Sequence, residues 1–180
     1  MKPAFDSWAL LSIATLLGCS TSQSGTSAPA ARPADFTVDY EWREGSLPPP
    51  YHYEYRMTIS PAGKGHIVLT PDYPAAGAPK WTEDFQVAAK QLDQLYQALV
   101  QQGLFTRTWQ ALDPSPVGGS SQTLIVTAGG KRFTVQDYVV ADQAAAAKAM
   151  YDAVNALAPK DAWDRLDAKR EQYMQEHPRK

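Results

Sequence analysis

The sequence predicts an α+β domain in which an antiparallel β-sheet is covered on one face by helices, in the order β-β-β-α-β-β-α-α. Apolar residues alternate with polar ones in five short segments, which is typical of half-buried strands. In three longer segments the apolar residues recur at helical spacing, and turn-forming residues separate the segments. No segment repeats at a fixed period, so we expect one domain over residues 35–176.

Three strands are predicted at the start of this domain. The first two come from the period-two patterns of residues 36–42, FTVDYEW, and residues 51–59, YHYEYRMTI. A third, residues 66–70, HIVLT, follows the tight turn SPAGKG and completes an antiparallel meander. If the apolar faces of the first two strands coincide, Trp42 lies opposite Tyr51.

The most regular helical pattern begins at Thr82, which is predicted to be the N-cap. Glu83 and Asp84 follow it, where the positive end of the helix dipole favours acidic residues. Gly103 fits the C-cap. The sequence therefore predicts a helix from Thr82 to Gly103 that lies on the aromatic face of the meander. Its apolar stripe consists of Phe85, Ala88, Leu92, Leu95, Tyr96 and Leu99.

The last third of the domain is predicted as a hairpin followed by two helices. Residues 123–127 and 132–136 alternate around the turn signal AGGK, so they extend the sheet. An alanine-rich helix follows over residues 142–157, and Pro159 ends it and begins the next. The third helix buries one narrow stripe, formed by Trp163, Leu166 and Tyr173.

The N-terminus differs in composition from the domain. An apolar run over residues 8–17, WALLSIATLL, is shorter than a membrane-spanning helix and is typical of the apolar core of a secretory signal. The following Leu16-Leu17-Gly18-Cys19 resembles the lipobox of bacterial lipoproteins. Lys2 is the only basic residue before the run, and the negative charge of Asp6 opposes it. Two or more basic residues are usual at this position. An ordinary cleaved signal peptide and a buried N-terminal helix are the alternatives.

The lipobox resemblance implies where the protein is located in the cell. Residues 1–18 are then a signal peptide, and Cys19 is lipidated and becomes the first residue of the mature chain. Residues 19–34 lack large apolar side chains, so we expect a disordered tether. Ser20 resembles the signal that sorts lipoproteins to the outer membrane in hosts with two membranes. We expect the cell envelope as the location, with the membrane as a partner through the lipid on Cys19.

The domain also resembles a small uncharacterised family of bacterial secreted and lipoprotein domains. The resemblance lies in the YxYxxxI strands, a GK turn and an LDxLYxxLxxxGLF helix, here residues 92–105. It implies the fold, because the function of that family is not established. We expect residues 177–180 to be a flexible tail.

Composition excludes several functional classes. The net charge of −2 gives no basic field for nucleic acid. A single cysteine supports neither an internal disulfide nor a zinc site. No nucleophile elbow, metalloprotease, P-loop or dinucleotide motif is present, so the sequence predicts no cofactor, no metal and no catalytic residue. The proposed strand register keeps His52 and His66 roughly 26 Å apart, too far to share a metal, and His177 lies in the polar C-terminal tail.

Two clusters are candidate sites. On the polar sheet face, the predicted register places His52 opposite Glu41 and Glu54 opposite Asp39, with Arg56 diagonal to Asp39. We interpret this cluster as a solvated surface rather than an acid/base pair or a cation site.

The second candidate is aromatic. Tyr73, Trp81 and Trp109 lie in or beside proline-containing loops, and if exposed together they form a contact patch. The sequence therefore favours a non-catalytic structural or protein-binding module of the envelope. The alternatives are a small-ligand or glycan binder that uses the loop aromatics and, second, a hydrolase.

Overall fold

A computed structural model describes residues 31–74 and 77–178. It confirms the predicted α+β class: a six-stranded antiparallel sheet, in the order β4-β3-β2-β1-β5-β6, with three helices. The strands are β1 (Thr37–Arg43), β2 (Tyr53–Ile59), β3 (Lys64–Pro71), β4 (Trp81–Gln86), β5 (Ser121–Ala128) and β6 (Lys131–Val135). The helices are α1 (Ala89–Gln101), α2 (Ala141–Asn155) and α3 (Lys160–Glu176).

The pairing of β1 with β2 is antiparallel as predicted, but its register differs by four residues. Trp42 lies opposite Tyr55 instead of Tyr51, and Val38 lies opposite Ile59. A shift of four leaves every side chain on its predicted face because strand side chains alternate with period two. The alternating pattern alone therefore could not distinguish the two registers. The observed pairing frees residues 44–52 to form the connection between the strands.

The predicted helix start at Thr82 is wrong, because residues 81–86 form the edge strand β4. Trp81 and Phe85 face the helices, whereas Thr82, Asp84 and Gln86 face solvent. Phe85 lies across Gly65 of β3, where a Cβ atom would be 2.3 Å from the ring. Because glycine has no side chain, the Phe85 ring can lie directly over Gly65.

Helix α1 begins at Ala89, and its two ends are closed by different groups. At the start, the Ala88 N–H donates to the Gln91 side chain over 3.0 Å. At the end, the predicted cap is confirmed: Gly103 has a φ of 81°, and the Leu104 N–H donates to the Leu99 carbonyl over 3.0 Å. This is a Schellman ending, in which glycine avoids the steric cost of a left-handed conformation.

The N-terminal edge of the domain lies slightly earlier than residue 35. Arg32, in the segment predicted as tether, donates from Nε to Asp93 of α1 over 2.8 Å. Asp35 accepts the N–H groups of Gly129 and Gly130 in the confirmed β5–β6 turn, at 2.7 and 2.6 Å. Residues 31–35 are therefore attached to the domain.

The core lies between the sheet and the helices. Tyr40, Met57 and Leu124 on the sheet are fully buried, as are Met150 of α2 and Leu166 of α3. Helix α3 packs on β3 and β4, and α1 packs on α2. In the described part of the chain no helix has the length and apolar character to cross a bilayer. The predicted signal peptide, Cys19 and residues 20–30 of the predicted tether lie outside the described residues, as do residues 179 and 180 of the predicted tail.

Candidate functional site

The solvent-facing side of the sheet carries a chain of ion pairs. Arg56 donates to Asp39 over 2.8 Å and lies 3.7 Å from Glu41. Arg43 lies 3.5 Å from both Glu41 and Glu54. Each of the three carboxylates therefore has an arginine partner, and exposed pairs of this kind contribute little to stability. The predicted pairing of Arg56 with Asp39 is confirmed.

The predicted place of His52 on this face is wrong. With the register shifted by four, Arg56 lies opposite Glu41, and His52 precedes β2. The His52 ring is buried and stacks on Tyr73 with a centroid distance of 3.9 Å. Its Nδ1 lies 3.2 Å from the Gly45 carbonyl oxygen. His52 is therefore part of the packing of the loop, and the predicted contact of Glu54 with Asp39 is wrong for the same reason.

The other two histidines have separate partners. His66 Nδ1 lies 2.6 Å from Asp84 on the outer sheet face, and the His177 ring stacks on Tyr173 with a centroid distance of 4.2 Å. Within residues 31–74 and 77–178, no histidine bonds to a serine or threonine hydroxyl. The same residues contain no cluster of three or more His, Cys, Asp or Glu side chains that could hold a metal.

The three predicted aromatic residues lie in different surroundings. Tyr73 stacks on His52. Trp109 is half-buried against the core in the segment between α1 and β5. Trp81 lies on β4 and meets the edge of the Tyr173 ring at 6.1 Å. The structure therefore does not bring the three together as one patch.

A groove at the C-terminal end of α3 is the concave feature that includes Trp81. It consists of two cavities that share Tyr173, Glu176 and His177. The Asp72 cavity, about 630 Å³, is further lined by Pro48, Pro49, Pro50, Asp72 and Pro178. The Trp81 cavity, about 490 Å³, is further lined by Gly77, Pro79, Trp81, Lys169 and Gln172.

The bend after β3 fixes Asp72 in the wall of its cavity. Asp72 adopts a φ of 66°, a left-handed conformation that aspartate tolerates better than most residues. Its N–H donates to the His52 carbonyl over 2.7 Å, and its carboxylate accepts the Tyr73 N–H over 2.7 Å. Only 5% of the residue is exposed. The Asp72 carboxylate is therefore held in place by local backbone bonds.

The Asp72 cavity is acidic. Among the described residues that line it are two carboxylates, Asp72 and Glu176, and no lysine or arginine. Burial, together with the negative charge of Asp72, raises the pKa of Tyr173, so this phenol stays protonated. Lys169, on the Trp81 cavity, is 3.6 Å from Glu83 and is therefore already paired.

Sequence reasoning identified Trp81 but missed the rest of the groove. Asp72 follows β3, the prolines belong to the β1–β2 connection, and Tyr173 and Glu176 end α3. The local signals present were the prolines and an acidic residue at a turn, which are also typical of ordinary loops. No family model and no curated protein matches this chain, so a function is inferred from the anchor sequence and the groove.

Proposed function

We propose that this chain is a bacterial lipoprotein whose domain is a non-catalytic protein-binding module of the cell envelope. Lipid on Cys19 attaches it to the membrane, and residues 20–30 connect that anchor to the described domain. The observation that carries the binding role is the groove at the end of α3, which combines an aromatic wall with the fixed carboxylate of Asp72. Concave surfaces with a few placed polar groups are typical of binding sites.

The histidines support a binding role over hydrolysis. A hydrolase of the serine type needs a nucleophile in contact with a base. His52, His66 and His177 are instead bonded to a backbone carbonyl, a carboxylate and a second backbone carbonyl. In the described part of the chain, none of these partners is the hydroxyl or thiol that a hydrolase of the serine type uses as its nucleophile.

The anchor is tested by metabolic labelling with palmitate in a bacterial host. We expect label in the wild-type protein and none in Cys19→Ser, because the thiol is the attachment site. Ser20→Ala is the matched control, since it changes the adjacent hydroxyl and keeps the thiol. Equal labelling of the wild type and Cys19→Ser would contradict the lipoprotein assignment.

A small-ligand or glycan binder is the second candidate. Trp81 is half-exposed beside Tyr173, and such rings offer apolar faces to a sugar. If this candidate holds, a chitin oligosaccharide quenches tryptophan fluorescence in the wild type and not in Trp81→Ala. Quenching that is unchanged in Trp81→Ala would exclude Trp81 as the sugar contact.

A further inference from the structure

The unusual feature of the groove is a buried carboxylate without a cationic partner. Asp72 is 5% exposed, and among the described residues no lysine or arginine contacts it. Its one side-chain hydrogen bond comes from the Tyr73 N–H. Burial of a carboxylate costs free energy unless a charge or several donors compensate it. A cation that enters the cavity would pair with the Asp72 carboxylate.

The walls of the Asp72 cavity suit a cation with an apolar stem. Pro48, Pro49 and Pro50 form an apolar wall, and Tyr173 supplies an aromatic ring. Lysine and arginine side chains place their methylene groups against such surfaces while the charged end reaches a carboxylate. Aromatic rings also attract cations. The described residues of its walls include two carboxylates and no lysine or arginine, so the charge of the cavity is complementary to these side chains.

The shape of the groove favours a peptide over a free amine. The Asp72 cavity continues into the Trp81 cavity through the shared residues Tyr173, Glu176 and His177. A free amine would fill only the acidic part. An extended peptide could place one side chain beside Asp72 and its neighbouring residues beside Trp81 and Gln172.

We propose that the Asp72 cavity binds a lysine or arginine side chain of a partner protein, whose adjacent residues lie in the Trp81 cavity. This inference rests on the proposed function, since it names the partner chemistry of the same groove. Asp72 and Glu176 hold the charged group, and Tyr173 contacts its stem.

The test measures peptide affinity by fluorescence anisotropy on the full-length protein purified in detergent. The probes are short labelled alanine-proline peptides with a central arginine, lysine, norleucine or glutamate. Norleucine keeps the stem of lysine and removes its charge. We expect arginine and lysine peptides to bind about tenfold more tightly than norleucine, and glutamate to bind weakest.

Variants locate the binding. Asp72→Asn keeps an acceptor for the Tyr73 N–H and tolerates the same φ, and we expect it to weaken the arginine peptide about tenfold. Glu176→Gln, at the exposed rim, weakens it less. Glu171→Gln, an exposed change on the same helix outside both cavities, leaves it unchanged.

A variant that ends at Pro178 lacks Arg179 and Lys180, the chain's own terminal cations. Equal or tighter binding by this variant supports the cavity, and loss of binding overturns the proposal.

Three further outcomes overturn the cation site: equal binding of the arginine and norleucine peptides, unchanged affinity in Asp72→Asn, or no binding of any probe. None of them changes the expected palmitate labelling, or the expected crosslinking of an envelope protein to a benzophenone probe placed at Gln172 in the groove. Failure of this inference is therefore distinguishable from failure of the proposed function.

Discussion

At the scale of single residues, a hydrogen-bonded group in the core joins α2 to the sheet. Asn155 donates to the Tyr40 hydroxyl and accepts from the Tyr55 hydroxyl, both over 3.0 Å. Tyr40 in turn donates to Gln122 over 2.6 Å. Burial raises the pKa of both tyrosines, so their hydroxyl groups stay protonated. Each hydroxyl in this group therefore has a partner.

Removal of Asn155 should destabilise the protein. In Asn155→Ala the Tyr55 hydroxyl loses its acceptor inside the protein, and we expect a loss of about 1–3 kcal/mol in the free energy of unfolding. Urea titration followed by circular dichroism measures it. Gln175→Ala, an exposed change on α3, is the control, with an expected effect within about 0.5 kcal/mol. Equal stability of Asn155→Ala and the wild type would show that the three side chains do not act together.

Single residues also show what the sequence could predict. The Gly103 cap was predictable because a helical stripe ends beside a glycine, and both signals lie within a few residues. The role of Asp72 was not, because its burial depends on the β1–β2 connection and the end of α3 as well as on β3. Local pattern carries no information on such contacts.

At the scale of elements, five of the six strands and all three helices were predictable, but the edge strand β4 and the register of β1 with β2 were not. The register of β1 with β2 differs by an even number, which period two cannot detect. Residues 81–86 were assigned to a helix because Thr82, Glu83 and Asp84 are a good helix start in isolation. Pairing with β3 outweighs that local preference, as Phe85 fills the space over Gly65.

The contact of α3 with β4 should depend on pH. The Arg165 guanidinium, hydrogen-bonded over 2.9 Å, holds the pKa of the Glu83 carboxyl below its ordinary value of 4.5. Below that value the unfolded chain takes up the proton more readily than the folded one. The stability that this contact contributes is therefore complete above pH 4.5 and is lost as the pH falls through the folded pKa.

Melting temperatures measure this effect between about pH 6 and pH 3. We expect the melting temperature of the wild type to fall further over this range than that of Glu83→Gln, which has no carboxylate at this position to protonate. Glu171→Gln should follow the wild-type curve, because no charged partner surrounds Glu171 in the described residues. Parallel curves for the wild type and Glu83→Gln would contradict a role of the Glu83 carboxylate in attaching α3.

At the scale of the whole molecule, the two faces of the sheet and the groove at the end of α3 differ in how their charges are paired. The helices cover one face of the sheet, and the opposite face carries paired charges. In the groove at the end of α3, by contrast, Asp72 contacts no lysine or arginine among the described residues. In the function that we propose, Cys19 anchors the chain and the groove is the surface that the domain offers to its neighbours.

The most direct test of this account is site-specific photo-crosslinking in the living cells that make the protein. A benzophenone amino acid replaces Gln172 in the groove or, as control, Glu171 next to it. We predict that the Gln172 probe forms an adduct with an envelope protein, that Asp72→Asn abolishes this adduct, and that the Glu171 probe does not form it. An adduct that persists in Asp72→Asn would contradict the cation site alone. An adduct of equal yield from both positions would contradict a binding module that acts through this groove.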